Sequence, residues 1–291
     1  MVALWRLASM SNMKMAKTKQ IEEAYVTYAI DPNSSVMFGR FESNLFFDAS
    51  EPTGLYQVST AYSGTILLDG LGSLNLDPVQ GIYDLGDQGI RYNYNGMNNS
   101  FTLSLVDNGD SKIADGRNTP DDVDGDYSIE ATYGMQFTDQ FAGFLGARMY
   151  EPEADGVEDG NIWNAYVTYE MNQWLFAAEY LNYDAPAYST IADLDGNTLE
   201  YPNILDGDLY QLMANYSYSD KNSVTFRYSK KDTQLTDSVN DDTTDFEADK
   251  WTIAHNAALA DNLAEIAEFS RVDLEVEDDA DEFAVELFYS F

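Results

Sequence analysis

Residues 209–231 read LYQLMANYSY, then SDKN, then SVTFRYSKK. Tyr210, Leu212, Ala214, Tyr216 and Tyr218 alternate with Gln211, Asn215 and Ser217, a period of two that sends the two sets to opposite faces of an extended strand. Ser219–Asn222 supplies polar turn residues, and Ser223–Lys231 resumes as the returning strand of a hairpin. One face is aromatic and apolar while the other is small, polar or charged. That pairing suits a wall with a different medium on each side.

The same period recurs outward along the chain in both directions. It covers EAYVTYAI (23–30), SVMFGRFE (35–42), GIRYNYN (89–95), SFTLSLV (100–106), YSIEATY (127–133), FAGFLGARMY (141–150), IWNAYVTYE (162–170) and WLFAAEYLNY (174–183). Strands at 251–259, 263–272 and 282–291 complete a set of about thirteen. In 263–272, Glu265, Glu268 and Arg271 leave neither face clean. The connections alternate in length. Short turns fall at 31–34, 96–99, 134–140, 171–173, 219–222 and 260–262, and long polar loops at 43–88, 107–126, 151–161, 184–208, 232–250 and 273–281. Tight turns on one side and extended loops on the other describe a transmembrane β-barrel of the outer membrane. An ordinary half-buried sheet has no reason to sort its loops this way.

Composition agrees. The chain has 291 residues, 51 Asp+Glu against 15 Lys+Arg, and a formal net charge of −36, which argues against a nucleic-acid partner because phosphate binding needs clustered cations. With no cysteine, disulfide frameworks, thiolate metal sites and cysteine nucleophiles are excluded. The single histidine, His255, has Asn256 beside it, but neighbours in a strand face opposite sides and form no ready catalytic pair. The reading is therefore not an enzyme. The 21 Tyr and 15 Phe set the acidity apart from that of a disordered tail. No apolar run is long enough for a membrane-spanning helix, a test that strands escape. Residues 1–20 read as an irregular remnant, and 21–291 as a single barrel domain.

The last strand, FAVELFYSF (283–291), ends the chain on an aromatic residue with Tyr289, Leu287 and Val285 in phase. A terminal Phe on such a strand resembles the assembly signal of outer-membrane barrels. From Ala24 to Val106, AYVTY (24–28), a strand ending Gly39-Arg40, a long loop, and the pair GIRYNYN and SFTLSLV resemble, in that order, the trimeric general porins of Gram-negative outer membranes. The resemblance implies an all-β, antiparallel transmembrane barrel of the 16-stranded type, with the Gly-Arg strand fifth and eleven strands after it. An even strand number with both termini on the periplasmic side then makes this chain a truncated copy lacking its first three strands. It also implies an outer-membrane location, a homotrimer, lipid and lipopolysaccharide as surroundings, and passive passage of small hydrophilic solutes and ions.

Such a pore does no bond chemistry; width and lining charge at its narrowest part decide what passes. The resemblance places arginines on the wall opposite carboxylates on an infolded loop. Arg40 stands at the Gly-Arg position with Glu42 two residues on, and alternation turns Arg91, Arg148 and Arg227 inward. Each of these arginines could equally form a wall ion pair with an inward carboxylate such as Glu130 or Glu170. The constriction loop, about 43–88, offers Asp48, Glu51, Asp69 and Asp77. Acidic outer loops concentrate cations and predict weak cation selectivity. Asp122, Asp124 and Asp126, and likewise Asp193, Asp195 and Asn197, resemble pieces of a calcium loop without its distal bidentate Glu. The expectation is therefore no dedicated cofactor, with calcium or magnesium held loosely at most. The competing reading is a receptor or adhesin barrel that displays its acidic loops.

Overall fold

A computed structural model describes residues 24–47, 65–68, 72–75, 87–107, 127–151, 159–192, 198–237, 242–274 and 279–289. These residues contain fifteen strands and no helix. The first seven are β1 (Ala24–Ala29), β2 (Ser34–Phe41), β3 (Thr65–Leu68), β4 (Gly72–Asn75), β5 (Asp87–Asn95), β6 (Asn99–Asp107) and β7 (Tyr127–Gln136). The rest are β8 (Phe141–Glu151), β9 (Gly160–Met171), β10 (Trp174–Ala192), β11 (Thr198–Ser219), β12 (Asn222–Asp237), β13 (Asp242–Ala260), β14 (Leu263–Leu274) and β15 (Ala280–Tyr289). Thirteen of them form one antiparallel sheet in chain order, from β1 through β2 and β5 to β15, and β3 pairs only with β4 inside the β2–β5 connection. The thirteen strands read from the alternation are these thirteen.

The sheet is inside out relative to a water-soluble protein. Leu212 is 59% exposed and Leu287 62%, whereas Glu130 and Arg148 on the opposite face are 2% and 1% exposed. The outer face runs across neighbouring strands through Phe38, Ile90, Leu105, Ile129 and Met149, which stand in register. The inner face one residue along runs through Arg91, Ser104, Glu130 and Arg148. Exposed apolar surface this extensive is stable only against hydrocarbon. Aromatic pairs on the outer face recur six residues apart, at Tyr127 and Tyr133, Trp163 and Tyr169, Trp174 and Tyr180, and Tyr210 and Tyr216. That is about 20 Å along a strand. Across strands they touch: Trp174 stacks on Tyr216 with centroids 4.6 Å apart, and Trp163 meets Tyr180 at 5.0 Å. These rows are interfacial girdles.

Two expected loops are corrected. Residues 184–208 and 232–250 are mostly strand, because β10–β11 and β12–β13 run on as hairpins past the outer-face apolar band. With water on both faces the apolar alternation has no cause, so the pairing persists while its sequence signature vanishes. Pro186 and Pro202 read as strand breakers, yet both are tolerated because each has a neighbour on one side only. The β9 pairing of β10 stops at Asp184, and the β12 pairing of β11 starts at Asn203. In β14 the mixed charges also resolve. Glu268 lies buried on the inner face with Ser270, while Arg271 is exposed outside beside Asp273, Asp279 and Asp281.

Candidate functional site

The inner wall is polar, and one segment of chain lies on it. Leaving β2, residues 42–47 carry no strand pairing, and Phe41, Ser43, Leu45 and Phe46 are buried. Their partners are far away in sequence. Ser43 Oγ donates to Glu130 Oε2 at 2.5 Å, the Asn44 N–H to Glu130 Oε1 at 3.1 Å, and the Phe47 N–H to Glu179 Oε1 at 2.8 Å. Leu45 lies over Gly146 so closely that a Cβ there would sit 2.4 Å from Leu45 Cδ2. Glycine is what lets the segment approach the wall.

Glu130 is a hub. It pairs with Arg91 Nη2 at 3.3 Å and Arg148 Nη1 at 3.8 Å, all three groups nearly free of solvent. Arg91 in turn donates from Nε to Ser104 Oγ at 2.8 Å, from Nη1 to Asn44 Oδ1 at 3.0 Å and from Nη2 to the Glu42 carbonyl at 2.7 Å. Its guanidinium also lies 4.3 Å from the Phe41 ring centroid. Two of the wall arginines thus form ion pairs with an inward carboxylate, and one of them, Arg91, also holds the chain that crosses it. Arg148 lies 5.0 Å from the Tyr150 ring, and Arg227 Nη2 donates to Thr252 Oγ1 at 3.4 Å. Glu179 makes a second centre on β10, accepting from Asn164 Nδ2 at 2.9 Å and Gln211 Nε2 at 2.8 Å.

The expected wall residues separate. Arg91, Arg148 and Arg227 are on the buried inner face. Arg40 falls on the alternating set of β2 that contains exposed Phe38, while Phe41 shares a face with Arg91. Glu42 contributes its carbonyl oxygen. Asp48, Glu51, Asp69 and Asp77, and the acidic turn of Asp122, Asp124 and Asp126, lie outside the described residues, as do Asp193, Asp195 and Asn197. Lys231 and Lys250, 5% and 3% exposed on the inner face, were missed, although each keeps the alternation of its strand, with Arg227 two pairs before Lys231. Phe144 and Tyr166 look scattered along the sequence. They are register partners, stacked at 4.5 Å, and Phe47 meets Tyr166 edge-on at 5.5 Å. His255 is exposed on the outer face, 2.7 Å from Tyr218 Oη, which separates it from Asn256.

A family model described as Gram-negative porin matches residues 2–275. No curated protein sequence matches the chain. Among solved structures, the outer-membrane expressed OmpT of Vibrio cholerae is similar at 12% identity, covering 89% of this chain and 78% of that one with a TM-score of 0.58. A trimer form of OmpT from the same organism is 13% identical over 95% and 83%, with a TM-score of 0.57. The outer membrane channel DcaP of Acinetobacter baumannii is 14% identical over 88% and 71%, with a TM-score of 0.52. Likeness at such identities speaks for the fold alone.

Proposed function

The chain belongs to the Gram-negative porin family; from that premise we propose that it passes small hydrophilic solutes and ions across the outer membrane by passive diffusion, with a weak preference for cations. The observation that carries this is the pairing of an exposed apolar outer face with a buried polar inner face that has residues 42–47 folded onto it. A receptor or adhesin barrel that displays its loops would instead have a plugged lumen and conduct little. Among the described residues the inner face mixes both signs with one carboxylate in excess, Arg91, Arg148, Arg227, Lys231 and Lys250 being set against Glu130, Glu170, Glu179, Glu268, Glu282 and Glu286. Selectivity then follows the chain's net charge of −36, most of it in the loops at the mouth, which attracts cations over a Debye length.

The chain has no role as an enzyme in this reading, and diffusion needs no cofactor. Calcium or magnesium would be held loosely by acidic loops such as that of Asp122, Asp124 and Asp126, bridging them to lipopolysaccharide. The trimer form among the similar structures supports three copies per assembly. Planar-bilayer recording of the purified protein tests the proposal. Stepwise conductance with a reversal potential on the cation side is expected, and no conductance, or a clear anion preference, would sink it.

A further inference from the structure

Two wall carboxylates do more than satisfy the wall. Glu130 already has Arg91 and Arg148, and Glu179 already has Asn164 and Gln211. Each nevertheless accepts a main-chain N–H from the crossing segment, Asn44 at Glu130 and Phe47 at Glu179. Between these anchors Phe46 has φ 70, the left-handed region that a bulky aromatic residue adopts only when its surroundings force it. Ser43 adds a third tie, donating to Glu130 and accepting the Leu45 N–H at 3.1 Å. Because the wall residues fix both carboxylates in turn, the segment is clamped at two points on rigid strands, and the strain sits between them.

We propose that Glu130 and Glu179 are positioning residues that clamp residues 43–47 against the inner wall in a strained turn and so set the width and steadiness of the lumen without touching the passing solute. The inference rests on the diffusion-channel reading and names the device that holds its narrowing. It has a use in a polar lumen, where water competes for every hydrogen bond. Charged acceptors hold main-chain donors more strongly than neutral ones, and a main-chain donor survives substitution of any side chain except to proline.

The chain has no cysteine, so one introduced thiol reports alone. Leu45→Cys places it at a site that is 1% exposed, and its reaction with a charged, membrane-impermeant maleimide is timed in detergent micelles. Adding Glu179→Ala, or separately Ser43→Ala, is expected to speed labelling by about tenfold or more, the factor that loss of one hydrogen bond to a charged group implies. Heat-modifiable gel mobility should stay that of the folded barrel, and the Glu179→Ala channel should flicker between sublevels. Labelling at the parent rate in both variants would overturn the clamp. Glu130→Ala removes the carboxylate from between two buried guanidinium groups and is expected to assemble poorly, which is why the decision rests on the other two variants. A parent that labels as expected but never conducts would sink the channel reading and leave the clamp standing.

Discussion

Gly39 shows how one position fixes the edge of the wall. Its φ is +130, and a Cβ there would lie 2.3 Å from the carbonyl oxygen of Ala24 on β1. Gly39→Ala must break either the backbone conformation or the β1–β2 pairing, so a loss of about 1–3 kcal/mol is expected. A lower temperature of heat-modified mobility would record it, and an unchanged one would refute it. The Gly39-Arg40 pair was legible as a landmark, but the reason for its glycine was not, because a positive φ leaves no mark on the alternation. Lys231 and Lys250 give the opposite case: period two places both inward, yet depth cannot be read from a strand alone. Their charges are expected to oppose cation entry. Lys231→Gln with Lys250→Gln should move the reversal potential further to the cation side, and an unchanged reversal potential would show that these lysines do not line the ion path.

At the scale of elements, the membrane-spanning hairpins were legible and their extensions were not. Lipid on one face imposes an alternation that any strand crossing it must carry, as Tyr210 to Tyr218 does. Past Asp184 and Asp208 that constraint ends, and Tyr188, Pro202 and Asp206 look like loop although their main chain is paired. The inner-wall clamp was hidden for a different reason, since Glu130 and Glu179 meet residues 43–47 across separations of 86 and 132 positions. Beyond the membrane the extensions crowd carboxylates together. Asp206 has its pKa raised, first by burial and then by Asp184, Asp208 and Asp245. A carboxyl group whose folded pKa is raised contributes stability below its unfolded pKa, and that contribution is lost as pH rises through the folded value. The β10–β11 extension is therefore expected to be firmer in acid and looser near neutrality. Amide exchange of residues 198–208, corrected for intrinsic rates, should show protection falling from pH 3.5 to 7. Asp206→Asn should flatten that trend, and equal pH dependence in both proteins would place its cause elsewhere.

For the whole molecule the question is which charges an ion feels, and distance answers it. The net charge of −36 acts from the mouth through water, where screening limits it to about 30 Å at 0.01 M salt and about 3 Å at 1 M. Arg91, Glu130 and Glu179 on the inner wall are buried within hydrogen-bonding distance of their partners, so salt screens them far less. If the loops set the preference for cations, selectivity measured with a fixed salt ratio should be strong at 0.01 M and nearly vanish at 1 M. Adding magnesium at constant ionic strength should weaken it as well, because divalent ions neutralise acidic loops more strongly than monovalent ones. A preference that survived 1 M salt unchanged would move the selectivity to the narrow part of the lumen, and the segment held by Glu130 and Glu179 would then be the place where charge substitutions should act.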